Sequence, residues 1–156
     1  MRLRLIAVGR LRRGPDADLC DDYIKRFNRM GRALSLGPLD VVEVEDKRNA
    51  GMAGEASLIR KAIPAGAKTM IMDERGTQMT SPQFADHIAR WRDDGLADMC
   101  LIIDGADGID ASLRSEADAA LAFGKMVWPH MLARVMLCEQ LYRAANILSG
   151  TPYHRV

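Results

Sequence analysis

The sequence predicts an α/β protein of three layers, with helices covering both faces of a mostly parallel sheet. Three observations predict it. Strand-like and helix-like segments alternate along the chain, two segments (68–72 and 99–103) are almost continuously apolar, as strands covered on both faces are, and a glycine-containing loop directly follows the second of them. At 156 residues, 48% hydrophobic and 28% charged, the chain has the length and composition of one globular domain over 1–156.

Leu3, Leu5 and Ala7 alternate with Arg2, Arg4 and Ile6 and mark a first strand that opens after Gly9 into a basic loop. Leu19, Tyr23, Phe27 and Met30 are spaced as the buried stripe of a helix from Ala17 to about Gly31. A short β-branched strand follows over Asp40–Val44, and the polar run from Glu45 to Gly54 reads as a loop. Glu55 to Ile63 is the next helix, stopped by Pro64. After the strand at Lys68–Met72, Asp73-Glu74-Arg75-Gly76 is a turn. Ser81 is then placed to cap a helix with Pro82 in its first turn, ending at Gly95. The strand at Met99–Ile103 opens into Asp104-Gly105-Ala106-Asp107-Gly108, the usual place for a ligand in such a sheet. An Ala-rich helix is expected from Ala111 to about Ala120, and 123–128 reads as either strand or loop. Pro129 starts a final helix to about Leu148. Its apolar residues cover more than one face, which requires burial by several elements of the same chain or by a second subunit, so a homodimer is expected.

The charge pattern narrows the function classes. Net charge is only +1, yet 17 of the 22 basic residues are Arg, and Arg2, Arg4, Arg10, Arg12 and Arg13 fall within the first thirteen positions. They form either a phosphate grip or the solvated edge of the first strand, and the sequence leaves both open. Cys20, Cys100 and Cys138 have no paired zinc spacing and read as buried, reduced thiols; no metal is expected. His87 reads as a surface residue. No segment reaches the roughly 18 to 20 apolar residues of a membrane span, so a soluble, cytoplasmic protein is expected. Dinucleotide, phosphate-loop and zinc-protease motifs are absent from the sequence.

Pro129-His130-Met131-Leu132-Ala133-Arg134-Val135-Met136-Leu137-Cys138-Glu139-Gln140-Leu141-Tyr142-Arg143-Ala144, followed by Pro152-Tyr153-His154-Arg155, resembles the C-terminal signature of the ribosomal large subunit pseudouridine N3-methyltransferase family. The likeness extends over the whole chain, through Ala7-Val8-Gly9, Met72-Asp73 with Gly76, and the glycine loop. That family belongs to the SPOUT superfamily, so the resemblance implies a deep C-terminal trefoil knot, formed mainly by about 70–148, that binds S-adenosyl-L-methionine. It implies methylation of a pseudouridine in the interface stem-loop of 23S ribosomal RNA within the 70S ribosome, by a homodimer whose tails complete each other's sites.

Carried onto this sequence, the cofactor-binding positions are Met72, Asp73, Gly105, Gly124, Lys125, Met126, Val127, Trp128 and Pro129. His154 is the candidate to assist proton removal, and Arg155 and Arg143 are candidates to grip phosphate or stabilise the deprotonated ring. Glu139 and Arg143, four apart, can also simply pair. Arg134 can face cofactor or RNA. The chain departs from the family at Asp104, where the loop usually begins with glycine, and at Ala122, Gly124 and Val127, where Ser or Thr is common. Asp104 is expected to point outward into solvent, since a buried, unpaired carboxylate is costly. Two other readings stay open: a knotted methyltransferase acting on another RNA such as tRNA, and a non-catalytic ribosome-binding relative.

Overall fold

The structure, a computed structural model, describes residues 1–46, 51–105 and 108–154. Five strands, β1 (Arg2–Val8), β2 (Leu39–Val44), β3 (Lys68–Gln78), β4 (Asp98–Ile103) and β5 (Ala119–Ala122), form one sheet in the order β2-β1-β4-β3-β5, and every pairing is parallel. Five helices join them: α1 (Pro15–Gly31), α2 (Gly51–Ala62), α3 (Ser81–Asp93), α4 (Ala111–Glu116) and α5 (His130–Leu148).

The two-residue period of the strands sorts the core into two halves. Leu3, Leu5, Met70, Leu101 and Ile103 face one side, where they meet Phe27 of α1, Phe84 and Ile88 of α3, and Leu137 and Leu141 of α5. Ile6, Ile71, Cys100 and Ile102 face the other, against Ala56 and Ile59 of α2 and Leu113 of α4. The three predicted layers are therefore present. The many-sided apolar surface of α5 is satisfied largely within the chain, because this helix packs on both α1 and α3. Its first turn is the exception: Met131 and Leu132 remain 49% and 42% exposed.

Several boundaries differ from the sequence reading. Helix α2 starts at Gly51 rather than Glu55; residues 47–50 of the expected loop lie outside the described residues. Thr80, not Ser81, caps α3, accepting from the Gln83 amide at 3.3 Å while Gln83 Oε1 accepts from the Thr80 amide at 2.8 Å. Helix α4 ends at Glu116 rather than about Ala120, and Ala119–Ala122, whose first two residues the sequence assigns to the end of that helix, is the edge strand β5. Leu19, expected in the buried stripe of α1, is 46% exposed. His87 is half-buried rather than a surface residue. Its ring lies edge-on to Trp91 at 4.5 Å, its Nε2 is buried without a hydrogen-bond partner among the described residues, and burial lowers its pKa.

The five N-terminal arginines do not form one patch. Arg2 and Arg4 begin β1 and pair with Asp98 and Asp40 at the edge where the strands start. Arg10, Arg12 and Arg13 follow β1, at the opposite edge, with Arg10 near Glu45 at 3.3 Å. The three cysteines are buried and free. No helix among the described residues is long and apolar enough to cross a membrane.

Candidate active site

Because all five strands run parallel, an interruption in β3 and the loops after β4 and β5 meet at one edge of the sheet, and there they enclose a cavity of about 500 Å³. Strand β3 shapes its first wall. Leu121 of β5 pairs with both Met72 and Thr77, so residues 73–76 bulge out of the ladder before β3 resumes. What the sequence shows as a turn is an excursion within one strand. Gly76 closes it against β5: a Cβ there would lie 2.7 Å from the Ala120 carbonyl carbon. The excursion presents Asp73, whose carboxylate is 4% exposed, accepts from the Arg75 amide at 2.9 Å and pairs with the Arg114 guanidinium of α4.

The second wall is the start of the loop after β4. Gly105 is buried against α2, where a Cβ would fall 2.7 Å from Oε2 of Glu55, so any side chain there would have to displace the Glu55 carboxylate. Asp104 lines the cavity with its carboxylate 18% exposed, 3.7 Å from Nδ1 of His130 on α5. The expectation that Asp104 points outward is thus corrected. It does not use the left-handed backbone either, since Ser35 is the one non-glycine residue with positive φ among those described. Burial pushes its pKa up, opposed by His130 and reinforced by Asp73 and Glu55.

The third wall runs from β5 into α5. Leu121 and Phe123 supply apolar surface, and Gly124, at φ +119°, turns the chain as a residue with a Cβ rarely does. Met126, Val127 and Trp128 line the mouth while exposing 72%, 80% and 38% of their surface. Of the nine positions carried over for the cofactor, Met72, Asp73, Gly105, Gly124, Met126, Val127 and Trp128 converge on the cavity. Lys125 and Pro129 lie exposed in the same segment without lining it; the Pro129 carbonyl accepts from the Ala133 amide and starts α5. Sequence reasoning missed Arg114 and His130 as members, because each is placed by a helix terminus that only the fold brings to the strand ends.

The tail residues gather elsewhere. Arg143 pairs with Glu139 one turn earlier, stacks its guanidinium 4.8 Å over the Tyr153 ring and approaches Nδ1 of His154 at 3.4 Å. The Tyr153 hydroxyl donates to Glu139 at 3.0 Å; burial and this hydrogen bond raise its pKa. Arg143 lies thirteen residues after His130 in α5, about 20 Å along the helix at 1.5 Å per residue. Neither Arg143 nor His154 lines the cavity of its own chain. Arg155 lies outside the described residues. Arg134 faces neither: it is buried, bonded to Glu43 at 2.6 Å and to the Gly9 carbonyl at 3.0 Å.

A parallel sheet with helices on both faces, closing on a cavity built from an interrupted strand, a glycine loop and the entry to the last helix, is the arrangement of an α/β protein that binds its ligand at the carboxyl ends of the strands. The chain belongs to the family described as predicted SPOUT methyltransferases, whose model matches residues 1–154, and with it to the architecture closed by a C-terminal trefoil knot. It is 66% identical over 156 residues to the ribosomal RNA large subunit methyltransferase H of Ruegeria pomeroyi, covering 100% of both chains. It is 64% identical over 155 residues to the protein of the same name from Roseobacter denitrificans, covering 99% of both, and 62% identical over 156 residues, again 100% of both, to that of Ruegeria sp. (strain TM1040).

Proposed function

We propose that this chain is a 23S ribosomal RNA methyltransferase that takes its methyl group from S-adenosyl-L-methionine and places it on N3 of a pseudouridine in the interface stem-loop, on the assembled 70S ribosome. Identity of 57% to 66% across the full length of relatives that all carry the large-subunit methyltransferase name is the observation that carries this reading. The cavity suits the cofactor. Its volume is within the range of nucleoside-sized ligands, its floor is glycine backbone, and its apolar side chains can flank an adenine ring. Met72, Gly105 and residues 124–128 would hold it, and when bound it supplies an electrophilic methyl on a sulfonium.

The residues of the chain must orient the acceptor ring, exclude water and take the N3 proton. Orientation alone accounts for much of the rate in such transfers. His154 is the group to receive the proton, and Arg143 and Arg155 stabilise the ring as it becomes anionic. The distance of His154 and Arg143 from the cavity of the same chain supports a homodimer in which the tail of one subunit completes the site of the other. The exposed apolar run Met126, Val127, Met131 and Leu132 beside the cavity supports the same arrangement. The knot is read as comprising about 70–148, and the working place as the cytoplasm.

The test compares ribosomal RNA from cells lacking the gene, with and without restoration, by mass spectrometry. One methyl group on the interface stem-loop pseudouridine should vanish and return. Purified protein should label 70S ribosomes and not naked tRNA. Labelling of tRNA alone, or an unchanged RNA in the deleted strain, overturns the assignment.

A further inference from the structure

We propose that Asp104 is a specificity-determining residue that makes this cavity prefer the cationic sulfonium cofactor over its neutral thioether product. The inference rests on the reading of the cavity as the S-adenosylmethionine site. Its ground is a carboxylate at the start of the loop after β4, turned into the cavity rather than away from it.

Three features of the site support a role for its charge. The carboxylate is 18% exposed, so water screens it poorly. Its nearest basic neighbour is the His130 imidazole at 3.7 Å, beyond hydrogen-bond distance. The other charged groups acting on it, Asp73 from β3 and Glu55 from α2, are acidic, and Asp73 already has a partner in Arg114. A cation entering this cavity relieves the repulsion among the carboxylates; a neutral ligand of the same shape does not. S-adenosylmethionine and S-adenosylhomocysteine differ by one methyl and one positive charge at sulfur, so a fixed negative charge in the wall acts on that difference. The consequence for the reaction is release of product: once the methyl has left, the attraction that held the cofactor is gone.

Calorimetric titration separates the possibilities. The ligands are S-adenosylmethionine, S-adenosylhomocysteine, and sinefungin, which carries an ammonium near the position of the sulfonium. The proteins are the unaltered chain, Asp104→Asn, which keeps the shape, and Asp104→Gly, which removes the side chain; folding of each is checked by thermal melting. Both substitutions are expected to weaken the two cationic ligands by about tenfold or more while changing S-adenosylhomocysteine by less than about threefold. A parallel change for all three ligands, or no change, in whichever variants fold would overturn the proposal while leaving the cavity as the cofactor site. If the unaltered protein binds none of the three, the cofactor reading itself fails and the proposal falls with it.

Discussion

Arg134 on α5 and Glu43 on β2, 91 positions apart, are joined by a 2.6 Å ion pair that fastens the last helix to the edge of the sheet. Glu43 also accepts from the Leu11 amide at 2.7 Å, and Arg134 donates to the Gly9 carbonyl, so one pair fixes the loop after β1 as well. The Arg134 side chain is 5% exposed and Glu43 29%, so the costlier loss is that of Glu43, which leaves the buried guanidinium without its counter-charge. Glu43→Ala should destabilise the protein by about 2 kcal/mol in urea unfolding, the range for stripping a partner from a largely buried charge. Arg134→Met, which removes the buried charge and keeps an apolar stem, should cost less than half as much. Equal effects of the two would contradict this ordering.

Asp118 lies between α4 and β5 and fastens the start of β3: it pairs with Lys68, accepts from the Thr69 amide at 2.8 Å and from the Thr69 hydroxyl at 3.1 Å. Burial acts to raise its pKa, but these donors together outweigh burial and hold the carboxyl below its ordinary value. A depressed carboxylate contributes stability above its unfolded pKa of about 3.9 and loses it as pH falls through the lower folded value. Asp118→Asn should therefore cost on the order of 1 kcal/mol at pH 7, discounted for a side chain 26% exposed. The gap between the two proteins should narrow as the pH drops below about 4. A gap that widens in acid would reverse the sign argued here.

These pairs show what could and could not be read from the sequence. Periodicity identified the four strands with apolar or β-branched runs, and it placed α1, α3 and α5 to within a few residues. The edge strand β5 was invisible because Ala119-Ala120-Leu121-Ala122 has the composition of a helix; pairing with β3 overrides that preference. The cap of α3 was legible in principle, since Thr80 and Gln83 have capping-box spacing, but the adjacent Ser81 offered a rival. The segments that line the cavity were named by resemblance, apart from the loop after β4, which the pattern of a strand followed by a glycine loop itself marks as a place for a ligand. The inward turn of Asp104 was out of reach, because it depends on His130 arriving at the neck of the cavity from the start of α5.

The separation between cavity and tail cluster predicts complementation between subunits. Gly105→Leu should abolish cofactor binding, since its side chain must displace the Glu55 carboxylate and intrude on the cavity that Gly105 lines, while Arg143→Ala should abolish transfer and leave cofactor affinity within about threefold. Each variant alone is inactive. When the two are mixed under conditions that exchange subunits, half of the dimers are mixed, and one of their two sites pairs an intact cavity with an intact tail. Activity should return to about one quarter of the unaltered protein. No recovery, despite exchange verified by mass spectrometry, would place tail and cavity in the same chain.

A carboxylate held in a cavity for the sake of a ligand should weaken the protein that lacks the ligand, and Asp104 allows this to be measured apart from any catalysis. Burial raises its pKa, with Asp73 and Glu55 adding to the effect and His130 opposing it. The folded chain therefore holds the Asp104 proton to higher pH than the unfolded chain does. As pH rises from the unfolded value of about 3.9 through the raised folded value, the native state binds more protons than the unfolded one, and stability falls across that window. Above it the penalty is complete. Asp104→Asn removes the titration while keeping the side-chain shape, so the unliganded variant should be more stable than the unaltered protein at pH 7.5, on the order of 1 kcal/mol. At pH 4 most of the difference should disappear, and all other carboxylates, common to both proteins, cancel in the comparison. Thermal or urea unfolding at the two pH values decides it. A variant less stable at pH 7.5 would mean that Asp104 has a compensating partner and is a structural residue of the loop.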